Sequence, residues 1–171
     1  MLSLVTNNLI SPHNNSPISD KYHQWEKYQS LASQAHLQKD MANAARYFKK
    51  SLSVSKLIKE CFFNDALKPS GISLLYISSH NLAASLNSQN KGLLAKSILV
   101  ECHEYLMTTC ANRFKPKKLR LEALAYLDKS LFSLSSQLGY INEVKSIHRL
   151  IVRTEKIANI SSQSLFPTGY Q

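Results

Sequence analysis

The sequence predicts an all-α fold of six helices paired into three antiparallel hairpins. Three observations predict it. The 171 residues contain only 4 Gly and 5 Pro, too few turn residues for many short strands. From Trp25 onward, apolar residues recur at spacings of three and four, which gathers them on one face of a helix. Polar breaks interrupt these stripes in the same way three times. The boundaries implied are a flexible leader over 1–20, a helical domain over 21–160 with hairpins near 22–63, 71–112 and 118–158, and a tail over 161–171.

The leader is rich in Asn, Ser and Pro (Ser11-Pro12, Asn14-Asn15-Ser16-Pro17) and lacks an apolar stripe. The first helix carries Tyr28, Leu31, Ala32 and Ala35 on one face and ends at Lys39-Asp40. The second aligns Ala44, Phe48, Leu52, Ser55 and Ile58, and stops in the segment from Asn64 to Gly71. Ile72, Leu75, Ser79, Leu82, Ala83 and Leu86 mark the third, closed by Asn90-Lys91-Gly92. Ala95, Leu99, Cys102, Leu106 and Thr109 mark the fourth, which Pro116 terminates by removing an N–H and restricting its predecessor. Leu124, Leu127, Leu131, Leu134 and Leu138 form the fifth, with the break read at Gly139-Tyr140. Ile141, Val144, Ile147, Ile151 and Val152 form the sixth.

The three turns align as Gln38–Ala44, Gln89–Ala95 and Leu138–Val144, with Leu31-Ala32, Leu82-Ala83 and Leu131-Phe132 upstream. Small residues on both sides of a turn let two helices approach closely. This pattern resembles the tetratricopeptide (TPR) repeat, in which Tyr28, Leu31, Ala32, Ala44 and Phe48 stand at consensus spacing. In the third hairpin, Phe132 falls where a small residue belongs and His148 where Phe belongs. The period, about 50 residues, also exceeds the usual 34. Trp25-Glu26-Lys27-Tyr28-x-x-Leu31-Ala32-x-x-Ala35 with Asp40, and Ile77-Ser78-Ser79-His80-Asn81-Leu82-Ala83, are similar to a small bacterial family known only as a domain of unknown function. That likeness covers roughly residues 25–110. The resemblance implies a right-handed α-α superhelix and no particular chemistry.

Charge and cysteines bound the function. Against 11 Asp+Glu stand 21 Lys+Arg, a formal +10, which favours acidic partners. Cys61, Cys102 and Cys110 form no disulfide framework and read as reduced thiols. With no signal-peptide pattern and no apolar run of roughly 18 residues, the expectation is a soluble cytoplasmic protein with no membrane contact.

In stacked hairpins the first helix of each pair faces the ligand groove. That register assigns Glu26, Gln29, Ser30, Ser33 and His36 to the groove from the first hairpin. Ile77, His80, Asn81, Ala84 and Asn87 come from the second, and Tyr126, Lys129, Ser130 and Ser133 from the third. Such a lining suits hydrogen bonding to a peptide, and the expected function is a non-enzymatic adaptor that binds protein or peptide. The carboxylate-gripping Lys/Asn set of some TPR domains is matched only at Asn81.

Two other functions are compatible with the sequence. Arg113, Lys115, Lys117, Lys118 and Arg120 surround Phe114 and could follow a phosphate backbone, giving nucleic-acid or anionic-surface binding. A secretion-type chaperone shares the size and hairpin number, although such chaperones tend to be acidic. No phosphate loop, nucleophile elbow or metal-binding helix motif occurs, so neither catalysis nor a cofactor is expected. His80, Cys102, His103 and Cys110 lack metal-site spacing, because the adjacent Cys102 and His103 diverge on a helix. Glu101 and Glu104 read as surface charge. With the tail too short for a seventh helix, the Ile147/Leu150/Ile151 surface is expected either to self-associate as a homodimer or to be covered by Leu165-Phe166 folding back.

Overall fold

A computed structural model describes residues 17–63 and 69–166, and among these residues all regular structure is helical. The helices are α1 (Pro17–Leu37), α2 (Met41–Ile58), α3 (Gly71–Asn87), α4 (Gly92–Ala111), α5 (Lys117–Tyr140) and α6 (Val144–Leu165). Residues 17–20, read as the end of the leader, are the first turn of α1; residues 1–16 lie outside the described residues. The tail is corrected likewise. α6 runs on through 161–165, so Leu165 is buried as part of the helix and not by a fold-back.

The three hairpins share one turn. Lys39, Asn90 and Asn142, 51 and 52 residues apart, each have φ of 59°. Around each, the same two hydrogen bonds close the helix. The amide of the left-handed residue donates to a carbonyl three residues back (His36, Asn87, Gly139), at 2.9–3.1 Å. The next amide donates to a carbonyl five residues back (Ala35, Leu86, Leu138), at 2.8–2.9 Å. This is the Schellman closure, which satisfies the orphan carbonyls at a helix end. The donor of the longer bond (Asp40, Lys91, Glu143) is also the N-cap of the following helix, so each reversal is as short as it can be. At Asp40 the side chain also accepts the Asn43 amide at 3.1 Å, and that bond holds its carboxyl below the usual range.

These turns correct the alignment of the third hairpin. The break lies at Asn142, and Gly139-Tyr140 is the last helical turn of α5. Counted from the left-handed residues, Leu31-Ala32 and Leu82-Ala83 are matched by Leu134-Ser135, three residues beyond Leu131-Phe132. The small residue is therefore present, and Phe132 points outward, 75% exposed. Ile151 replaces His148 opposite Phe48 and Leu99. One departure survives: Ala44 and Ala95, both fully buried, are matched by the larger, half-buried Ile147.

Each helix packs on the next in sequence, and α3 also meets α5 while α4 meets α6. The main core runs from Ala32 and Phe48 through Leu75 and Leu106 to Leu127. A second cluster joins Tyr22 and Trp25 to Val54, Ile58 and Leu74, and a third joins Ala83, Ala95 and Leu99 to Leu134 and Leu138. The predicted stripes of α2 and α4 are buried in full. That of α6 is not: its buried residues are Thr154, Ser161 and Leu165, while Val144 and Val152 are exposed.

Gly71 decides how closely α3 approaches the end of α2. Its amide donates to the Cys61 carbonyl at 2.9 Å, and a Cβ at this position would lie 1.9 Å from the Ile58 carbonyl oxygen. Gly139 has nothing within 4 Å of the corresponding position. Gly71→Ala should therefore destabilise the fold by about 3 kcal/mol or more, since backbone must move. Gly139→Ala should stabilise it by about 0.5–1 kcal/mol through helix propensity. Urea denaturation of the two variants measures both signs.

Candidate functional site

α1, α3 and α5, the first helices of the three hairpins, share one side of the molecule, and α3 lies between the other two. Polar side chains knit them together. Trp25 Nε1 donates to Ser78 Oγ at 2.7 Å, and Gln29 Nε2 donates to Ser51 Oγ at 2.6 Å. Asn81 Nδ2 donates to Gln29 Oε1 at 3.0 Å. Asn87 and Gln137 exchange amide hydrogen bonds of 2.7 and 3.2 Å, and Gln137 also donates to the Gly92 carbonyl at 3.0 Å. Gln29, Asn81 and Asn87, assigned to the groove from sequence, are thus ties between helices.

Tyr126 is tied in the same manner. Ser70 and Ser73 both donate to Glu122 Oε1, at 2.6 and 3.2 Å, which leaves the Tyr126 hydroxyl as donor to Ser73 at 2.8 Å. Its ring meets Tyr76 at 4.9 Å between centroids, Tyr76 meets His80 at 3.9 Å, and the Lys129 ammonium lies 5.0 Å above Tyr126. Ser130 does not face the groove at all. It is buried against α4, where its hydroxyl meets His103.

Two clefts flank α3 and meet at the exposed Ala84. Between α1 and α3, Ser33, His36, Leu37, Phe48, Asn81 and Ser85 enclose about 330 Å³. Between α3 and α5, His80, Asn87, Phe132, Ser133, Ser136, Gln137 and Tyr140 border about 380 Å³. Among the described residues, the buried side-chain atoms with no hydrogen-bond partner are His80 Nε2 and Ser85 Oγ, one in each cleft. Burial pushes the His80 imidazole down to about 4, so it is neutral near pH 7. Phe132 and Tyr140, 75% and 60% exposed, stand at the second cleft. Neither was assigned to the groove from sequence. The corrected turn register is what places them there.

The basic segment is not displayed as one patch. Arg120 is buried: its Nε donates to the Cys110 carbonyl at 3.0 Å and its Nη2 to Ser164 Oγ. It thus covers the negative end of the α4 dipole and ties α4 and α5 to α6. Lys115 pairs with Glu60 at 2.6 Å, and Lys118 lies 4.2 Å over the Phe62 ring. Arg113 and Lys117 stay exposed beside Phe114. Glu101 pairs with Lys56 at 2.5 Å and Glu104 with Arg153, so both glutamates brace neighbouring helices.

His103 is fully buried between Ser130 Oγ (3.0 Å from Nδ1) and Thr154 Oγ1 (2.9 Å from Nε2). The Thr154 hydroxyl donates to the Leu150 carbonyl at 2.8 Å, so it accepts from His103 Nε2–H and Nδ1 accepts from Ser130. Cys102, next in sequence, lies in the main core with its thiol pushed up to about 11 by burial. Among the described residues, no group of three or more His, Cys, Asp and Glu is placed to hold a metal ion, and no helix is long and apolar enough to cross a membrane.

Burial holds His103 down at about 4, whereas an unfolded histidine titrates near 6.5. The stabilisation this represents is complete above pH 6.5 and is lost progressively as pH falls to 4, where the unfolded chain has taken up the proton first. Its size at pH 7 is about 3 kcal/mol, and denaturation midpoints between pH 7 and 5 should show the loss. His103→Gln should remove about half of that slope, the remainder coming from His80, which burial lowers to a similar value. Arg120→Met should cost about 2–3 kcal/mol by exposing unpaired groups at the α4–α6 junction, and Arg120→Lys should recover little because the guanidinium fork is what reaches both acceptors. Lys117→Ala should change thermal stability by less than about 0.5 kcal/mol.

Residues 23–166 match the family described as protein of unknown function (DUF2753), and the chain belongs to that family. The match extends through the third hairpin. No curated protein and no solved structure matches the chain.

Proposed function

We propose that this protein is a non-enzymatic, TPR-like adaptor that binds a segment of a partner protein along α3. The observation that carries the reading is the pair of unpartnered buried atoms, His80 Nε2 and Ser85 Oγ, in adjoining clefts on one helix. Buried polar atoms normally find partners, and an unmet one costs about 1–3 kcal/mol that a bound N–H or carbonyl would recover. The neutral imidazole accepts at Nε2 when its proton sits on Nδ1, which suits a peptide amide donor. Phe132 and Tyr140 are the aromatic anchors, of the type that dominates binding energy at protein interfaces. Gln29, Asn81 and Asn87 keep the cleft walls in place.

The three identical turns and the corrected Leu134-Ser135 register support the array reading, since they repeat one hairpin at a near-constant period. Nucleic-acid binding through 113–120 is disfavoured by the dispersal of its five cations, of which Arg120 is buried and Lys115 is paired.

The test is affinity capture from lysate with the full chain, with and without nuclease and at low and high salt. The expected result is a discrete protein that survives both treatments and is lost with the Phe132→Ala/Tyr140→Ala double variant. Each truncation should weaken binding about tenfold or more while the exposed positions leave the fold intact. Undiminished capture by the double variant, or recovery of nucleic acid that disappears with salt, would overturn the reading.

A further inference from the structure

On the other side of the molecule, the second helices α2 and α4 border a channel of about 530 Å³ whose floor includes α3. Its apolar lining includes Leu86, Leu94 and Ile98, together with Leu52 and Leu82, which are themselves buried in the core. Leu94 is 57% exposed, and the adjacent Leu93 is 70% exposed. The channel-lining residues of α2 extend from Ala42 to Lys56, which is about 21 Å of helix at 1.5 Å per residue. At one end the Lys56–Glu101 ion pair bridges α2 to α4; the channel reaches Gln89 and Lys91 at the α3–α4 turn.

The rim carries Arg46, Lys49, Lys56 and Lys91, and among the described residues no carboxylate lines the channel. Lys56 is neutralised by Glu101, and Asp40 lies close enough to Arg46 to feel its charge. Arg46 donates to the Tyr47 hydroxyl at 3.3 Å and Lys91 to Gln89 at 2.7 Å, both neutral partners. The channel thus presents an apolar floor under a cationic rim. No local pattern encodes it, because its cations come from α2 and the α3–α4 turn and its leucines from three helices.

We propose that this channel is a docking site for an acidic amphipathic helix of a partner protein. The apolar face would lie on Leu86, Leu94 and Ile98, and flanking carboxylates would meet Arg46, Lys49 and Lys91. Charge complementarity selects this occupant. A wall about four turns long suits a helix lying in a groove, recognised through anchors at i, i+3, i+4 and i+7. The α6 helix of a second copy is excluded as the docking element by its own charge, with Lys145, Arg149, Arg153 and Lys156 against Glu155. Stacking of nucleic-acid bases has no aromatic platform among these lining residues. This surface is separate from the clefts along α3.

The experiment uses the full chain and a panel of labelled 18-residue amphipathic peptides with leucine on one face and glutamate on its flanks. Matched peptides carry lysine in place of glutamate. Fluorescence anisotropy should show the glutamate series binding at least about tenfold more tightly, with affinity falling as salt rises. Arg46→Glu/Lys49→Glu and, separately, Leu94→Glu should each weaken binding about tenfold or more while circular dichroism and melting temperature stay unchanged. His80→Ala and Phe132→Ala should leave it untouched, which separates this surface from the α3 clefts. Equal binding of the two series, no binding by either, or insensitivity to the channel variants overturns the proposal. Displacement of the peptide by a single-stranded oligonucleotide or by oleate, with tighter binding lost in the same variants, overturns it in favour of those ligands.

Discussion

The left-handed residue at each hairpin turn is the constraint on which the rest of the structure depends. Its φ of 59° at Lys39, Asn90 and Asn142 directs the two closing hydrogen bonds and makes the following residue the next N-cap. A helix that ends this way has no slack, so the facing positions of its partner are set to within one residue. Ala32 and Ala44, or Ala83 and Ala95, then fall opposite one another, and the close packing of α1 on α2 and of α3 on α4 follows. Where the small residue is replaced by Ile147, the third hairpin is packed less tightly and the contact face of α6 turns polar at Thr154 and Ser161. His103, Ser130 and Thr154 satisfy one another there and turn what would be a weak seam into a specific one.

Polar chemistry in this molecule serves two ends that look alike in sequence. Gln29, Asn81, Asn87 and Gln137 are spent between helices, each amide meeting another protein group. His80 and Ser85, on the same helix as two of them, keep an atom without a partner. A similar division applies to charge. Glu60, Glu101, Glu104 and Glu143 all bridge to cations on neighbouring elements. Among the described residues, part of the surplus behind the net +10 is displayed as cations such as Lys49 and Lys91 that form no ion pair with these glutamates.

Sequence reasoning read the element types and most of the buried stripes because both depend on a 3.6-residue period that is local. It misplaced the third turn because it followed Gly139, whereas the left-handed conformation is carried by Asn142, and glycine here merely occupies an open helix position. It grouped Arg113 to Arg120 as a patch because they are neighbours in the chain. In space the buried guanidinium of Arg120 points at the carboxyl end of α4 and at Ser164, groups 10 and 44 residues away in sequence.

By itself, then, the sequence determined six helices, their pairing into hairpins, the apolar faces of α2 to α4 and the small residues that set their approach. These follow from period, turn chemistry and side-chain volume, all of which are written within a few residues of one another. Only the tertiary structure decided which polar residues are consumed between helices and which remain open, how the third hairpin is registered, and that a cation-rimmed apolar channel lies across α2, α3 and α4. Those depend on the relative position of groups some 50 residues apart, which no local pattern encodes.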